Sequence, residues 1–114
     1  MPDPAVFLAS FGLNTGSALD GWTVRSSSAS HTSVIRYREY VYNITLSVIP
    51  SPDKYTSIDN LLLILNIKSR KTVLAYSNYG NPYNCKLDPP SPGDAKAESD
   101  GSYTVYLKGH SYRV

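Results

Sequence analysis

Between Tyr40 and Val48 the chain alternates with a period of two. Tyr40, Tyr42, Ile44, Leu46 and Val48 are apolar or aromatic, and Val41, Asn43, Thr45 and Ser47 separate them. Successive side chains of a strand point to opposite faces, so this stretch reads as a strand with its even-numbered face in the core. Val, Ile, Thr and Tyr also suit a pleated surface. The rest of the chain is expected to pack on that face.

The flanking segments follow from the same kind of pattern. Asp3-Pro4 is an N-cap followed by a residue suited to the first helical position. Phe7, Leu8 and Phe11 share one face at helical spacing, and Gly12 and Asn14 are stop signals, which predicts a short helix over about 4–12, with a strand as the competing reading. Residues 14–20 read as loop, and Trp22-Thr23-Val24 as a short strand. The Ser/Thr-rich stretch 26–33 reads as a loop or weak edge strand, and 34–38 leads into the central strand, which ends at Pro50. Ser51-Pro52-Asp53-Lys54 is a turn, because Pro52 fixes φ and Asp53 can bond its own backbone.

The run Leu61-Leu62-Leu63-Ile64-Leu65-Asn66-Ile67 is apolar but for Asn66, so periodicity cannot separate strand from helix. Its shortness and the break at 68–71 favour a buried strand, with 72–77 as the return strand of a hairpin. Residues 78–84 read as loop, the Pro-rich 88–93 as extended linker, and Asp100-Gly101 as a turn. Tyr103, Val105 and Leu107 mark a further strand, after which Gly109-His110 can turn the chain before Tyr112. Five to seven strands with turns about every ten residues predict an all-β fold: an immunoglobulin-like or fibronectin-III-like sandwich with a short N-terminal helix. The expected organisation is a helical segment over 1–13 and a β-sandwich domain over 14–114.

Composition narrows the functional classes. The 114 residues carry a formal net charge of +2, too small to argue for nucleic acid or an anionic membrane. The longest apolar run is too short for insertion into a bilayer. The N-terminus lacks the basic region of a secretory signal, and Cys85 is the one cysteine, so neither an intrachain disulfide nor a cysteine-based metal cluster can form. A cytoplasmic or non-classically released protein without a cofactor is the expectation. Asn43-Ile44-Thr45 is a glycosylation sequon in mid-strand, relevant only in a secretory pathway. Tyrosine is the anomaly: ten residues, against two Phe and one Trp. A buried phenol must find a hydrogen-bond partner, so many of these rings are expected at the surface, as in binding proteins.

Candidate chemistry is sparse. His31 and His110 lack a second strong ligand nearby, which argues against zinc. A small ribonuclease would require His31, Glu39 and His110 to converge on one cleft with a lysine. The better candidate is the loop in which Tyr79 and Tyr83 flank Gly80-Asn81-Pro82, with Asn78 and Asn84 outside them and Trp22 as a further platform. Aromatic faces suit the C–H face of a sugar, and side-chain amides suit its hydroxyls. The apolar stripe Phe7, Leu8 and Phe11 must be covered by the chain's own sheet or by a second copy. The second option predicts a homodimer with Phe7 and Phe11 in its interface.

Three stretches resemble fungal immunomodulatory proteins. Met1-Pro2-Asp3-Pro4-Ala5-Val6-Phe7 is similar to their start and helix. Arg38-Glu39-Tyr40-Val41-Tyr42-Asn43-Ile44 is similar to their Tyr-x-Tyr strand, and Val73-Leu74-Ala75-Tyr76-Ser77-Asn78-Tyr79-Gly80 to a strand ending in a Tyr/Asn/Gly loop. The family's Tyr-Thr-Pro-Asn-Trp-Gly-Arg-Gly segment has at best a remnant here, at 21–25. The resemblance implies a fibronectin-like sandwich, sugar binding and dimerisation through the helix, and no binding residue is carried over from it. The sequence therefore points to a non-enzymatic, lectin-like binding module for carbohydrate or a cell-surface glycoprotein. The alternatives are an assembly protein that oligomerises through Tyr-rich faces, and a small ribonuclease.

Overall fold

The computed structural model describes residues 1–34, 38–53 and 56–114. Parts of the expected lead-in at 34–38 and of the turn at 51–54 fall on residues 35–37 and 54, outside the described residues. The elements run α1 (Pro4–Ser10), β1 (Trp22–Val34), β2 (Glu39–Pro50), α2 (Ile58–Ser69), β3 (Thr72–Tyr76), β4 (Pro82–Leu87), β5 (Ala95–Ala97) and β6 (Tyr103–Arg113). Six antiparallel strands form one sheet in the order β1-β2-β6-β4-β3, with β5 also paired to β6.

The even-numbered residues of β2 are the centre of the core. Tyr42, Ile44, Leu46 and Val48 are buried, together with Val105 and Leu107 of β6, Cys85 and Leu87 of β4, and Trp22 and Val24 of β1. Both helices cover this face. In α1, Asp3 accepts a hydrogen bond from the Ala5 amide at 2.9 Å, and Phe7 and Leu8 turn inward. Phe7 stacks on Tyr42 with ring centroids 4.1 Å apart. In α2, Ser57 accepts from the Asn60 amide and Asp59 lies in the first turn, where the helix dipole favours negative charge. Lys68 of the last turn donates to the Phe11 carbonyl at 2.7 Å, which ties the end of α2 to the end of α1.

The expected hairpin at 61–77 is corrected by α2. Residues 61–67 are helical, so the first strand of that hairpin does not exist, and β3 pairs with β4 instead. Leu61, Leu62 and Leu65 face the core while Leu63 is 55% exposed, a helical and not an alternating pattern. Ile64 is only partly buried. The cause lies partly upstream of the run: the Ser57 cap and Asp59 lengthen the element to twelve residues, and leucine favours helix. Two helices thus lie where a sandwich would carry its second sheet, and among the described residues the strands form one sheet.

Two further boundaries differ from expectation. Residues 26–33 belong to a long edge strand, β1, with a bulge between Val24 and Ser26. Gly109 and His110 continue β6 without a turn, because β6 pairs with β2 on one side and β4 on the other as far as its end.

Candidate functional site

The residues expected to form a sugar site do not share one surface. Trp22 is 2% exposed, its ring edge-on to Tyr103 at 5.7 Å. Its Nε1 has no hydrogen-bond partner among the described residues. The loop between β3 and β4 is built on Ser77, whose hydroxyl accepts from the Tyr79 and Asn81 amides at 3.3 and 3.2 Å. Gly80 takes the left-handed conformation there (φ 79°), as a tight turn requires. Tyr79 then projects into solvent at 91% exposure, and Asn78 is exposed beside it. Asn81 accepts from Arg113 Nη2 at 2.9 Å. Tyr83 is buried on the core face, edge-on to Tyr40 at 6.2 Å, while Asn84 follows it onto the opposite face. Trp22 lies near the start of β6 and the loop near its end, roughly 33 Å apart by strand rise.

The apolar stripe of α1 has its cover within the chain. Phe7, Leu8 and Phe11 are all buried among the core residues of the sheet. The premise for a second copy at this stripe is therefore absent: the sheet carries a single face of core residues, and α1 is part of what closes it.

The two histidines lie on opposite faces of the sheet. His31 is exposed on the helix-bearing side, 6.4 Å from the rings of Tyr40 and Tyr42. His110 lies on the other side, its Nδ1 2.5 Å from Glu39 Oε1 and its Nε2 2.9 Å from Asp88 Oδ2. The convergence that a nuclease would need is half realised, with Glu39 meeting His110 and not His31. Partial burial works against a charge on His110, but hydrogen bonds and attraction from Asp88 and Glu39 outweigh it, and the pKa rises above 6.5. Both ring nitrogens are committed to carboxylates, so the residue clamps β2, β6 and the exit of β4 together. Among the described residues, no group of three or more His, Cys, Asp or Glu side chains is arranged to hold a metal ion.

The helix-free face of the sheet is the surface that sequence reasoning missed. It presents the odd-numbered residues of β2, the even-numbered residues of β6, and Leu74 and Tyr76 of β3. Tyr76, Tyr106 and Tyr112 are exposed there, among Asn43, Thr45, Lys108 and Ser26, Ser28 and Ser30 of β1. One end is braced by Arg25, which donates to Ser47 Oγ at 3.1 Å, Asp100 Oδ2 at 2.9 Å and Ser102 Oγ at 3.1 Å. The Ser102 hydroxyl, with Arg25, holds the Asp100 carboxyl well below the usual carboxylate range.

Beside Tyr106, the Pro-rich segment after β4 arches away from the sheet. The resulting cleft of about 390 Å³ is lined by Asn43, Thr45, Asp88, Pro90, Asp94 and Lys108, among others. A buried Pro90, whose carbonyl accepts from Asn66 Nδ2 at 3.4 Å, holds the arch against α2. The signal for this surface was present in the sequence as Tyr106 and Tyr112 on one face of a strand. It was obscured by the expected turn at Gly109. Comparison with known proteins finds no matching family model, curated relative or solved structure.

Proposed function

We propose that this protein is a non-enzymatic carbohydrate-binding module whose binding surface is the helix-free face of the sheet. The observation that carries the reading is Tyr106, 52% exposed, beside a cleft lined by amide, hydroxyl, carboxylate and ammonium groups. A pyranose presents an apolar C–H face and a rim of hydroxyls, and Tyr106 with Asn43, Thr45 and Lys108 offers a partner for each. The cleft volume lies within the usual range for small-ligand sites. Binding is favoured over catalysis because the one histidine in this region is engaged at both ring nitrogens. The stretches resembling fungal immunomodulatory proteins lend the same reading support, with a cell-surface glycoprotein as the natural target. A glycan array followed by calorimetry tests it: saturable binding of a defined sugar is expected, and an array without any hit would refute the reading.

Self-association is a second reading, favoured by the outer edge of β1. The Ser27 amide donates to Thr15 Oγ1, away from β2. By strand alternation the backbone groups of Ala29, His31 and Ser33 also point outward. This edge lacks the lysine or proline that commonly blocks strand addition. Light scattering at micromolar concentration decides it, a monomer mass arguing against self-association.

A further inference from the structure

We propose that Arg38 and Arg113 form a binding site for an oxyanion at the end of the sheet where β2 and β6 meet. Glu39 and Tyr112 are the last pair of the β2–β6 ladder, and Arg38 and Arg113 are the residues next to that pair in the chain. On its other side Arg113 pairs with Tyr83. The two arginines both line a cleft of about 360 Å³ whose remaining walls are Ser33, Tyr40 and Tyr83. The same two arginines also line an adjoining cleft of about 560 Å³ with Glu39, Tyr112 and Val114.

The charges in this corner are unbalanced. Among the described residues, the smaller cleft has no carboxylate in its lining. Glu39, the acid of the larger one, is committed to His110 at 2.5 Å. Among the described residues neither arginine forms an ion pair with a carboxylate. Two guanidinium groups that line one cleft, neither of them paired to a carboxylate side chain among the described residues, repel each other, and an anion between them relieves that repulsion.

The site is also shaped. Arg113 Nη2 is oriented by Asn81 Oδ1 at 2.9 Å, which leaves its other donors available. Arg38 is presented from the left-handed region of backbone space (φ 52°), an unusual conformation for a residue with a Cβ. Guanidinium groups match the paired oxygens of carboxylate, sulfate and phosphate. The buried Tyr83 and half-buried Tyr40 supply an apolar wall, so the corner accepts a ring that bears the anionic group as well as a free oxyanion.

The test is an NMR titration of the full ¹⁵N-labelled chain with sodium sulfate, sodium phosphate, sodium glucuronate and glucose, at ionic strength held constant with sodium chloride. The oxyanions should shift the amides of Arg38, Tyr40, Tyr83 and Arg113 saturably, and glucose should not shift them. Tighter binding of glucuronate identifies a carboxylate on a ring as the preferred ligand, and equal or tighter binding of sulfate or phosphate identifies a free oxyanion. Arg38→Ala and Arg113→Ala should each weaken binding at least tenfold. Arg113→Lys should fall between wild type and alanine, because it keeps the charge but loses the fork. Arg70→Ala, which removes an exposed charge at the end of α2, should leave binding unchanged. Shifts that never saturate, or an equal loss in Arg70→Ala, would overturn the site. A neutral sugar bound beside Tyr106 would move the amides of Asn43, Tyr106 and Lys108 instead, so the two sites succeed or fail separately.

Discussion

Phe7 occupies the space in which residue 109 would carry a side chain: a Cβ on Gly109 would stand 2.2 Å from Phe7 Cζ and 2.6 Å from its Cε1. Both atoms belong to a ring already stacked on Tyr42, and the Lys86 carbonyl lies 3.1 Å from the same Cβ position. Gly109→Ala should therefore destabilise the fold by roughly 1–3 kcal/mol through overpacking. Urea denaturation measures it. Phe7→Leu in the same chain should recover part of the loss, and an unchanged midpoint in Gly109→Ala would show that Phe7 moves freely.

The helical reading of residues 58–69 makes a prediction that a strand would reverse. Leu65 is fully buried and Leu63 is 55% exposed. Leu65→Ala should cost about 2–5 kcal/mol from lost burial and a cavity. Leu63→Ala should stay within about 0.5 kcal/mol of wild type. Residues 63 and 65 share a face in a strand, so comparable losses at the two sites would contradict the helix.

Alkaline pH should unfold the protein by way of Tyr42 and Cys85. Burial pushes the Tyr42 phenol up to about 12, although its hydrogen bond with Ser111 works in the opposite direction. Burial pushes the Cys85 thiol up to about 11. Each group is neutral when folded and ionises more readily when unfolded, at about 10 and 9. Their contribution is complete below pH 9 and is lost as pH rises through 11 and 12. Thermal melts between pH 8 and 12 should show this decline, and Cys85→Ala should displace its onset upward. A flat profile over that range would exclude the mechanism.

The same burial makes Cys85 unreactive in the folded protein. A thiol reagent at pH 8 should label it only as fast as the chain opens, with full labelling in denaturant. Rapid labelling under native conditions would mean that the thiol reaches solvent without unfolding.

On the sugar-binding reading, Tyr106→Ala should weaken affinity for the array-identified glycan about tenfold or more, as expected for loss of a stacking platform. Trp22→Phe should alter stability and leave affinity unchanged, because Trp22 is inside the core. Calorimetry with both variants checks the assignment, and a larger loss at Trp22 would move the site away from the helix-free face.

What the sequence determined by itself was local. Alternation placed Tyr42, Ile44, Leu46 and Val48 on the buried face of a strand. Asp3, Pro4 and the Phe7/Leu8/Phe11 spacing specified α1, because caps and periodicity act between near neighbours. The tertiary structure decided where local signals were silent or equal. The apolar stretch 61–65 carries no period, so residues 61–67 took helix once Ser57 capped them and the sheet had a face to cover. Gly109 reads as a turn in isolation and became a strand residue because β2 and β4 pair with it on both sides, while Phe7 fills the space its missing side chain leaves. Tyr83 and Tyr106 are alike in sequence, and one became core and the other surface through the register of β4 and β6 alone. The juxtaposition of Arg38 with Arg113 had no sequence signal, because residues 75 positions apart meet only when strands pair.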